Sequence, residues 1–243
     1  MGLKESGLRG SLRNVSVGIG AIPDSEVSRW NMVVQDGGTG DDFVEDEVGD
    51  NDLIVEESGF STVTGSEYVD GEAIDFSGGG RLVAERPVGV LDPTIDGPPL
   101  TIAATIEITS LSSDDVVWVQ KSPDGNERTG LGFPDTGTMQ YRSNDDAFGA
   151  SAHHDDFDTN QRIRTQSILS GTGTARLFVD LSEAAGSGNF PLFSAVGFNN
   201  FQVGGQEEEN ASSAQFGGII DQISVYESEL DSDEREADSQ AFG

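Results

Sequence analysis

The sequence predicts an all-β fold, a two-sheet antiparallel sandwich of the jelly-roll type, and three observations carry that prediction. About a dozen short segments alternate apolar and polar residues with a period of two, the pattern of half-buried strands. Turn signals rich in glycine, aspartate and proline separate them at intervals of roughly 8–20 residues. Helical periodicity is nearly absent. At 243 residues with 35% hydrophobic content, the chain can bury a sizeable core as one domain, or as a smaller domain plus an extension.

Residues 1–28 differ from the remainder. Lys4, Arg9 and Arg13 place three of the 13 basic residues here, and Leu3, Leu8, Leu12 and Val15 add sparse apolar contacts. Gly7, Gly10, Gly18 and Gly20 work against a helix. The segment reads as a flexible leader or as a docking arm, locally positive and able to order on an acidic partner. Leu3, Lys4, Leu8, Arg9, Leu12 and Arg13 are the candidate anchoring residues. The opening residues lack an apolar h-region, so no secretory signal is expected. Ala21–Glu26 turns the chain into a domain expected over 29–243.

Arg29–Val34 reads as the first strand, followed by two acidic turns, Asp36–Asp42 and Asp46–Asp52. Leu53–Val55, a strand and turn within Gly71–Gly78, and Arg81–Ala84 come next. Leu100–Ile108 is the clearest strand, with Ile102, Ala104, Ile106 and Ile108 on one face and threonines on the other. Val116–Lys121 follows, then two hairpins. Gly130–Phe133 and Thr138–Arg142 flank one turn, and Arg162–Leu169 and Thr174–Asp180 flank Ser170–Gly173. The last strand, Ile219–Tyr226, puts Ile219, Ile223 and Val225 on one face with Asp221 among them. A carboxylate on an apolar face needs backbone N–H groups or a cation, so Asp221 is read as a clamp for a neighbouring loop. Asp231-Ser-Asp-Glu234 reads as a capping box, with Asp231 and Glu234 opening a short final helix.

The closing phrase Phe216–Tyr226 with Glu227–Glu234 resembles the end signature of laminin-G-like, concanavalin A-like jelly-roll domains. The tryptophan-led first strand, the acidic glycine turns and Gly71–Gly78 resemble the same family. So does the hairpin ending Phe178-Val-Asp-Leu181, although the family's usual glycine is replaced there by Leu181. The resemblance spans roughly 29–240 and implies a concanavalin A-like sandwich whose usual role is glycan binding.

The composition carries 44 acidic against 13 basic residues, a net charge of −31, and only two lysines, Lys4 and Lys121. Such a field repels nucleic-acid phosphate. Lysine scarcity with acid spread along the whole chain points to a halophilic protein, soluble where salt screens self-repulsion. The absence of cysteine excludes disulfides and thiolate metal sites, and no apolar run reaches the roughly 20 residues of a membrane span.

Candidate chemistry is sparse. Glycosidases of this architecture need two carboxylates projecting from one strand into a cleft. Glu229-Leu-Asp-Ser-Asp-Glu234 fits the letters but lacks apolar partners and coincides with the capping box. No catalytic residues and no enzymatic activity are therefore expected, with a glycoside hydrolase as the last-ranked alternative. His153, His154, Asp155, Asp156 and Asp158 fall in one polar loop, read either as a divalent-cation site or as an exposed acidic loop. The resemblance also implies calcium as a candidate ion among Asp36, Asp41, Asp42, Asp46, Asp50 and Asp52. Trp30, Trp118, Tyr68 and Tyr141 are candidate sugar platforms, with Trp118 expected in the core.

The phrases Gly7–Asn14 and Ala21–Trp30 resemble openings of laminin-G-like proteins from haloarchaeal viruses and proviruses. That resemblance implies a virion structural protein assembled in the host cytoplasm. The arm would join other virion proteins, and a jelly roll displayed on capsid or tail would meet a host glycan or surface-layer receptor. A homo-oligomer is expected. The alternative is a carbohydrate-binding protein of a haloarchaeal cell surface.

Overall fold

The computed structural model describes residues 22–38, 40–84, 99–110, 112, 115–121, 127–145, 151–154, 159–171, 174–185, 188–189, 200–206 and 214–243. In chain order the strands are β1 (Glu26–Gln35), β2 (Phe43–Asp46), β3 (Leu53–Glu57), β4 (Ser61–Thr64), β5 (Glu72–Asp75), β6 (Arg81–Ala84) and β7 (Leu100–Ile108). Then come β8 (Asp115–Lys121), β9 (Glu127–Asp135), β10 (Thr138–Asp145), β11 (Ser151–His154), β12 (Arg162–Leu169) and β13 (Thr174–Val179). The two-residue strands β14 (Ser182–Glu183) and β15 (Gly188–Asn189) precede β16 (Asn200–Val203), β17 (Gly205–Gln206), β18 (Ala214–Gln215) and β19 (Gly218–Tyr226). One helix, α1 (Ser232–Phe242), closes the chain.

The strands pack in two antiparallel layers. In sheet A, β5 and β1 share one edge of β19, and β4 pairs with β5. The other edge of β19 pairs with β7, followed by β12 and β13, with β14 and β15 on β13. Sheet B runs β2–β3–β6–β16–β8–β9–β10–β11. β1 joins the layers, because Glu26–Asn31 pairs with β19 and Trp30–Gln35 pairs with β2.

The core lies between the sheets. Leu100, Ile102, Ala104, Ile106 and Ile108 enter it from β7, as the alternation predicts. Trp30, Phe201, Trp118 and Tyr141 form a ladder of rings with centroids 5.7, 5.9 and 5.8 Å apart, within the range of favourable aromatic contact. The Trp30 indole N–H donates to the Asn51 carbonyl at 2.8 Å. Burial pushes the Tyr141 hydroxyl well above its ordinary pKa.

The structure corrects several expectations. β1 begins at Glu26, three residues before the predicted start, and the four-residue strands β2, β4 and β16 are too short to show a period. His153 and His154 lie in β11 rather than in a loop. The alternation of the last strand breaks at Asp221. Ile220 stands opposite Ile106 and Gln222 opposite Thr105, so Asp221 is an extra residue in a β-bulge. Past the bulge the faces exchange, so Ile220, Ile223 and Val225 are in the core while Ile219 is not. Where the family glycine is missing, Asp180 and Leu181 both take positive φ, 46° and 67°, as a two-residue type I′ hairpin turn requires.

No basic residue occupies the last turn of α1. Sheet A supplies the cations that its negative end favours. The Arg29 and Arg164 guanidiniums lie 5.0 and 5.2 Å from the Phe242 ring centroid, and Arg162 donates to the Phe242 carbonyl at 3.4 Å.

Candidate functional site

A sandwich offers two outer faces, and the sequence closes one of them. On sheet A the residues opposite to the core positions are polar: Thr101 and Thr105 on β7, Arg164 and Gln166 on β12, Gln222 and Ser224 on β19. All are buried, because α1 and the segment leading into it cover them. Thr105 donates to the Phe242 carbonyl at 2.6 Å and Thr101 to that of Ser228 at 2.7 Å. At the centre, Arg164 and Asp238 are 1% and 0% exposed and form a two-armed ion pair, one arm from Nε at 3.0 Å. Tyr226 and Gln166 each donate to the same carboxylate at 2.7 Å. Burial opposes the Asp238 charge, but Arg164 and these donors outweigh it and hold its pKa below the usual carboxylate range. Burial, reinforced by Asp238, pushes the Tyr226 hydroxyl upward. This network is a fully engaged seal with no vacant bonding capacity at its carboxylate.

Asp221 accepts the Val69 backbone N–H at 3.0 Å and pairs with Arg162, tying the β4–β5 loop to the end of sheet A. Burial raises its pKa despite the Arg162 charge. Asp231 is the N-cap of α1, accepting from the N–H groups of Asp233 and Glu234, while Glu234 accepts from the Asp231 N–H. Leu3, Lys4, Leu8, Arg9, Leu12, Arg13, Asp155, Asp156 and Asp158 lie outside the described residues. Positions 153 and 154 are adjacent in β11 and so alternate between the two faces of the sheet.

In the second acidic turn Asp46 is engaged by backbone. Asp46 accepts from the N–H groups of Arg29, Val48 and Gly49 at 2.9, 3.1 and 2.9 Å, and from Asn51 at 3.3 Å. A Cβ on Gly49 would lie 2.6 Å from the Asp46 carboxylate and 2.7 Å from the Val27 carbonyl, which is why the turn needs glycine. Among the described residues no three histidine or acidic side chains converge as a metal site would require.

The outer face of sheet B is built differently. Ladder register sets Phe43, Ile54, Val83 and Gln202 opposite one another, and the row continues through Val119, Gly130, Arg142 and Ser151. A parallel row holds Asn200, Lys121, Arg128 and Asn144. A third holds Val116, Gly132, Gln140 and His153. Val119 and Gln202, mid-row, are 3% and 1% exposed, whereas Ile54 and Val83 are half-buried. A shallow groove of about 340 Å³ opens at that end, lined by Asp41, Ile54, Val55, Glu56, Val83 and Ala84. Of the four predicted sugar platforms, Trp30, Trp118 and Tyr141 are core residues, and Tyr68, in the β4–β5 loop, is half-buried. Sequence reasoning missed this face because eight strands contribute one residue each to a row. It missed the seal because Arg164 and Asp238 are 74 residues apart.

No curated protein matches the chain. Among solved structures, Trypanosoma rangeli sialidase in complex with sialic acid superposes with a TM-score of 0.65 at 15% identity, covering 92% of this chain and 34% of the sialidase. The present chain thus spans about a third of that protein. Domain 4 of AbnA, a GH43 extracellular arabinanase from Geobacillus stearothermophilus, in complex with arabinotriose, gives 0.60 at 15% identity, covering 88% and 97%. A chain described as a receptor binding domain gives 0.62 at 10% identity, covering 90% and 51%. These likenesses show the fold.

They also overturn the expectation that the chain has no enzymatic character. That expectation rested on the lack of a paired-carboxylate strand. The structural neighbours are sialidase and arabinanase chains, so the fold is glycosidase-like. The matching family model, described as the concanavalin A-like lectin/glucanases superfamily, spans residues 85–234 and so takes in strands of both sheets. Covering more than half of the chain and agreeing with its two-layered jelly roll, that match makes this chain a member of the superfamily.

Proposed function

We propose that the chain is a glycan-recognition jelly roll displayed on the surface of a halophilic virion, with the outer face of sheet B turned toward the sugar. The observation that carries the reading is the asymmetry of the sandwich. α1 and the Arg164–Asp238 network bury the outer face of sheet A, while sheet B keeps a groove on its outer side. Its superfamily supports a sugar ligand, as does its near-complete correspondence with an arabinanase domain solved with arabinotriose. The virion setting is supported by the resemblance of residues 7–14 and 21–30 to haloviral openings and by the net charge of −31. In this reading residues 1–28 anchor the protein to other virion proteins, residues 29–243 form the displayed domain, and the displayed form is a homo-oligomer.

Two experiments test it. Immobilised glycans from a halophilic host should retain the full chain in molar potassium chloride, and release of reducing sugar in the same assay would add hydrolysis to binding. No retention would remove the glycan reading. Density-purified particles should contain the chain at a fixed ratio to the major capsid protein. Its presence in cell envelopes and absence from particles would instead place it on the cell surface.

A further inference from the structure

We infer that the chain forms a two-fold dimer by pairing the free edge of β4 with the same edge of a second copy, so that sheet A runs on from one copy into the other. The inference names the interface of the homo-oligomer proposed above and is independent of its ligand. β4 pairs with β5 on one side, and among the described residues no strand pairs with its other side. Ser61, Thr62 and Thr64 are exposed and Val63 is half-buried, so the strand is not covered. Proteins guard such an edge with a charge, a proline, a bulge or a very short strand, because its unpaired N–H and C=O groups are a template for another strand. The far side of sheet A is guarded in that way, by the two-residue strands β14, which carries Glu183, and β15. β4 has no charge and no proline, and its register with β5 has no bulge.

The bonds at the ends of β5 decide which groups face outward. The Gly65 N–H donates to the Gly71 carbonyl at 3.0 Å, and the Phe76 N–H to the Gly218 carbonyl at 2.8 Å. Alternation along an antiparallel ladder then turns the backbone of Ala73 and Asp75 toward Val63 and Ser61, and that of Ile74 toward β19. The N–H and C=O groups of Thr62 and Thr64 therefore point away from β5, two donors and two acceptors. A second copy supplies the matching set. With Val63 opposite its own counterpart on the two-fold axis, Thr62 faces Thr64 of the partner subunit, and all four groups of each copy are bonded. Thr–Thr pairs of this kind stabilise a ladder. The same register sets Ser61 against Gly65 and Phe60 against Ser66, so no pair from 60 to 66 carries charge. Two chains of net charge −31 thus meet without like charges opposite one another, which favours a second copy as the occupant. The two-fold axis consumes both edges, so the assembly closes at two. That axis stands perpendicular to the sheet and turns the sheet B groove of both copies to the same side. On the glycan reading, the dimer is then bivalent.

The test is the mass of the full chain by sedimentation in molar potassium chloride, where the native protein should run at twice its 25.6 kDa. Thr62→Pro removes one outward donor and no bond to β5, so it should run at the monomer mass with a thermal midpoint within about 2 °C of native. A native chain that stays monomeric at about 100 μM overturns the inference and leaves the glycan reading standing. Native-like dimerisation of Thr62→Pro overturns it as well. Should that variant misfold, cysteine placement gives a second measure, because the chain has no cysteine of its own. Val63 and its counterpart form a non-hydrogen-bonded pair with Cα atoms about 4.5 Å apart, within the reach of a disulfide. Ser61 and its counterpart lie four residues out of register, more than about 13 Å apart. Val63→Cys should therefore cross-link on mild oxidation at least about tenfold faster than Ser61→Cys, and equal rates overturn the inference. A dimer that retains no host glycan upholds the interface and removes only the glycan reading.

Discussion

The outer faces of sheets A and B are made by the same ladders and put to opposite uses. Sheet A turns outward a set of threonines, glutamines and Arg164 that would be an adequate ligand surface, and α1 consumes all of it. Its bonds are internal, and at the Asp238 carboxylate they are complete. Sheet B sets Ile54 and Val83 outward, both half-buried beside an open groove. The difference teaches that polarity on a sheet face is not a sign of function. Completeness of bonding is the better guide, because a carboxylate with every acceptor site filled has nothing left for a ligand.

The sharpest way to break the comparison is to open the seal. Asp238→Ala leaves the Arg164 guanidinium buried without its counter-ion, and urea unfolding should show a loss of about 3–5 kcal/mol. The double variant Arg164→Met with Asp238→Leu should recover most of that, because it removes both charges. Glycan retention by the folded fraction should be unchanged in either variant, since the seal and the sheet B face are on opposite sides of the core. Loss of retention at full stability would mean that the two faces are coupled.

Acid sharpens the same contrast within sheet A. The folded pKa of Asp238 is depressed, so its contribution is present above the ordinary aspartate range of about 4 and is lost as pH falls through the folded value. The folded pKa of Asp221 is raised, so its charge opposes folding at neutral pH and protonation on acidification relieves that cost. Stability measured against pH should therefore fall less steeply for Asp238→Asn than for the native chain, and more steeply for Asp221→Asn.

How much of this was legible beforehand follows from the range of each signal. The period-two pattern of β7 and the Asp231/Glu234 box are local, and the residues that make them are neighbours in sequence. The bulge at Asp221 left no such trace. Ile219 and Ile220 are chemically alike, and only the ladder with β7 decides which enters the core. Trp30 and Tyr141 looked like sugar platforms because ring type alone does not reveal which sheet face a residue takes. The sheet B rows were beyond reach, since a row is a property of registers among strands from residue 43 to residue 202.

The joint between the sheets should be the next most sensitive place after the seal. Asp46→Ala removes one acceptor from four backbone N–H groups at the point where β1 passes from β19 to β2. Asp46 is buried although the turn it holds is exposed, so a loss of about 1–3 kcal/mol in urea unfolding is expected. Asp231→Ala acts at the entrance to α1 and should cost about 1 kcal/mol, the ordinary value of a helix cap. A much larger loss there would show that the cap, rather than Arg164, carries the seal.

The smallest effect, and one of opposite sign, is expected at the far edge of sheet A. Leu181 is held at φ 67° in the turn between β13 and β14 and is 44% exposed, so its side chain buries little apolar area. A left-handed backbone costs an L-residue about 1–2 kcal/mol, and glycine avoids that cost while losing about 0.5–1 kcal/mol to its greater freedom when unfolded. Leu181→Gly should therefore stabilise the chain by up to about 1 kcal/mol, read as a rise of about 2–4 °C in thermal midpoint. Asp180 should not respond in the same way. Its carboxylate accepts the Arg164 backbone N–H at 2.9 Å and its own N–H donates to the Arg164 carbonyl at 2.9 Å, so Asp180→Gly would relieve strain but remove a bond to the strand that bears the seal. If both glycine variants stabilise equally, backbone strain alone governs this turn. If only Leu181→Gly does, the hairpin helps to hold Arg164 in place, and the closed face of sheet A extends to its edge.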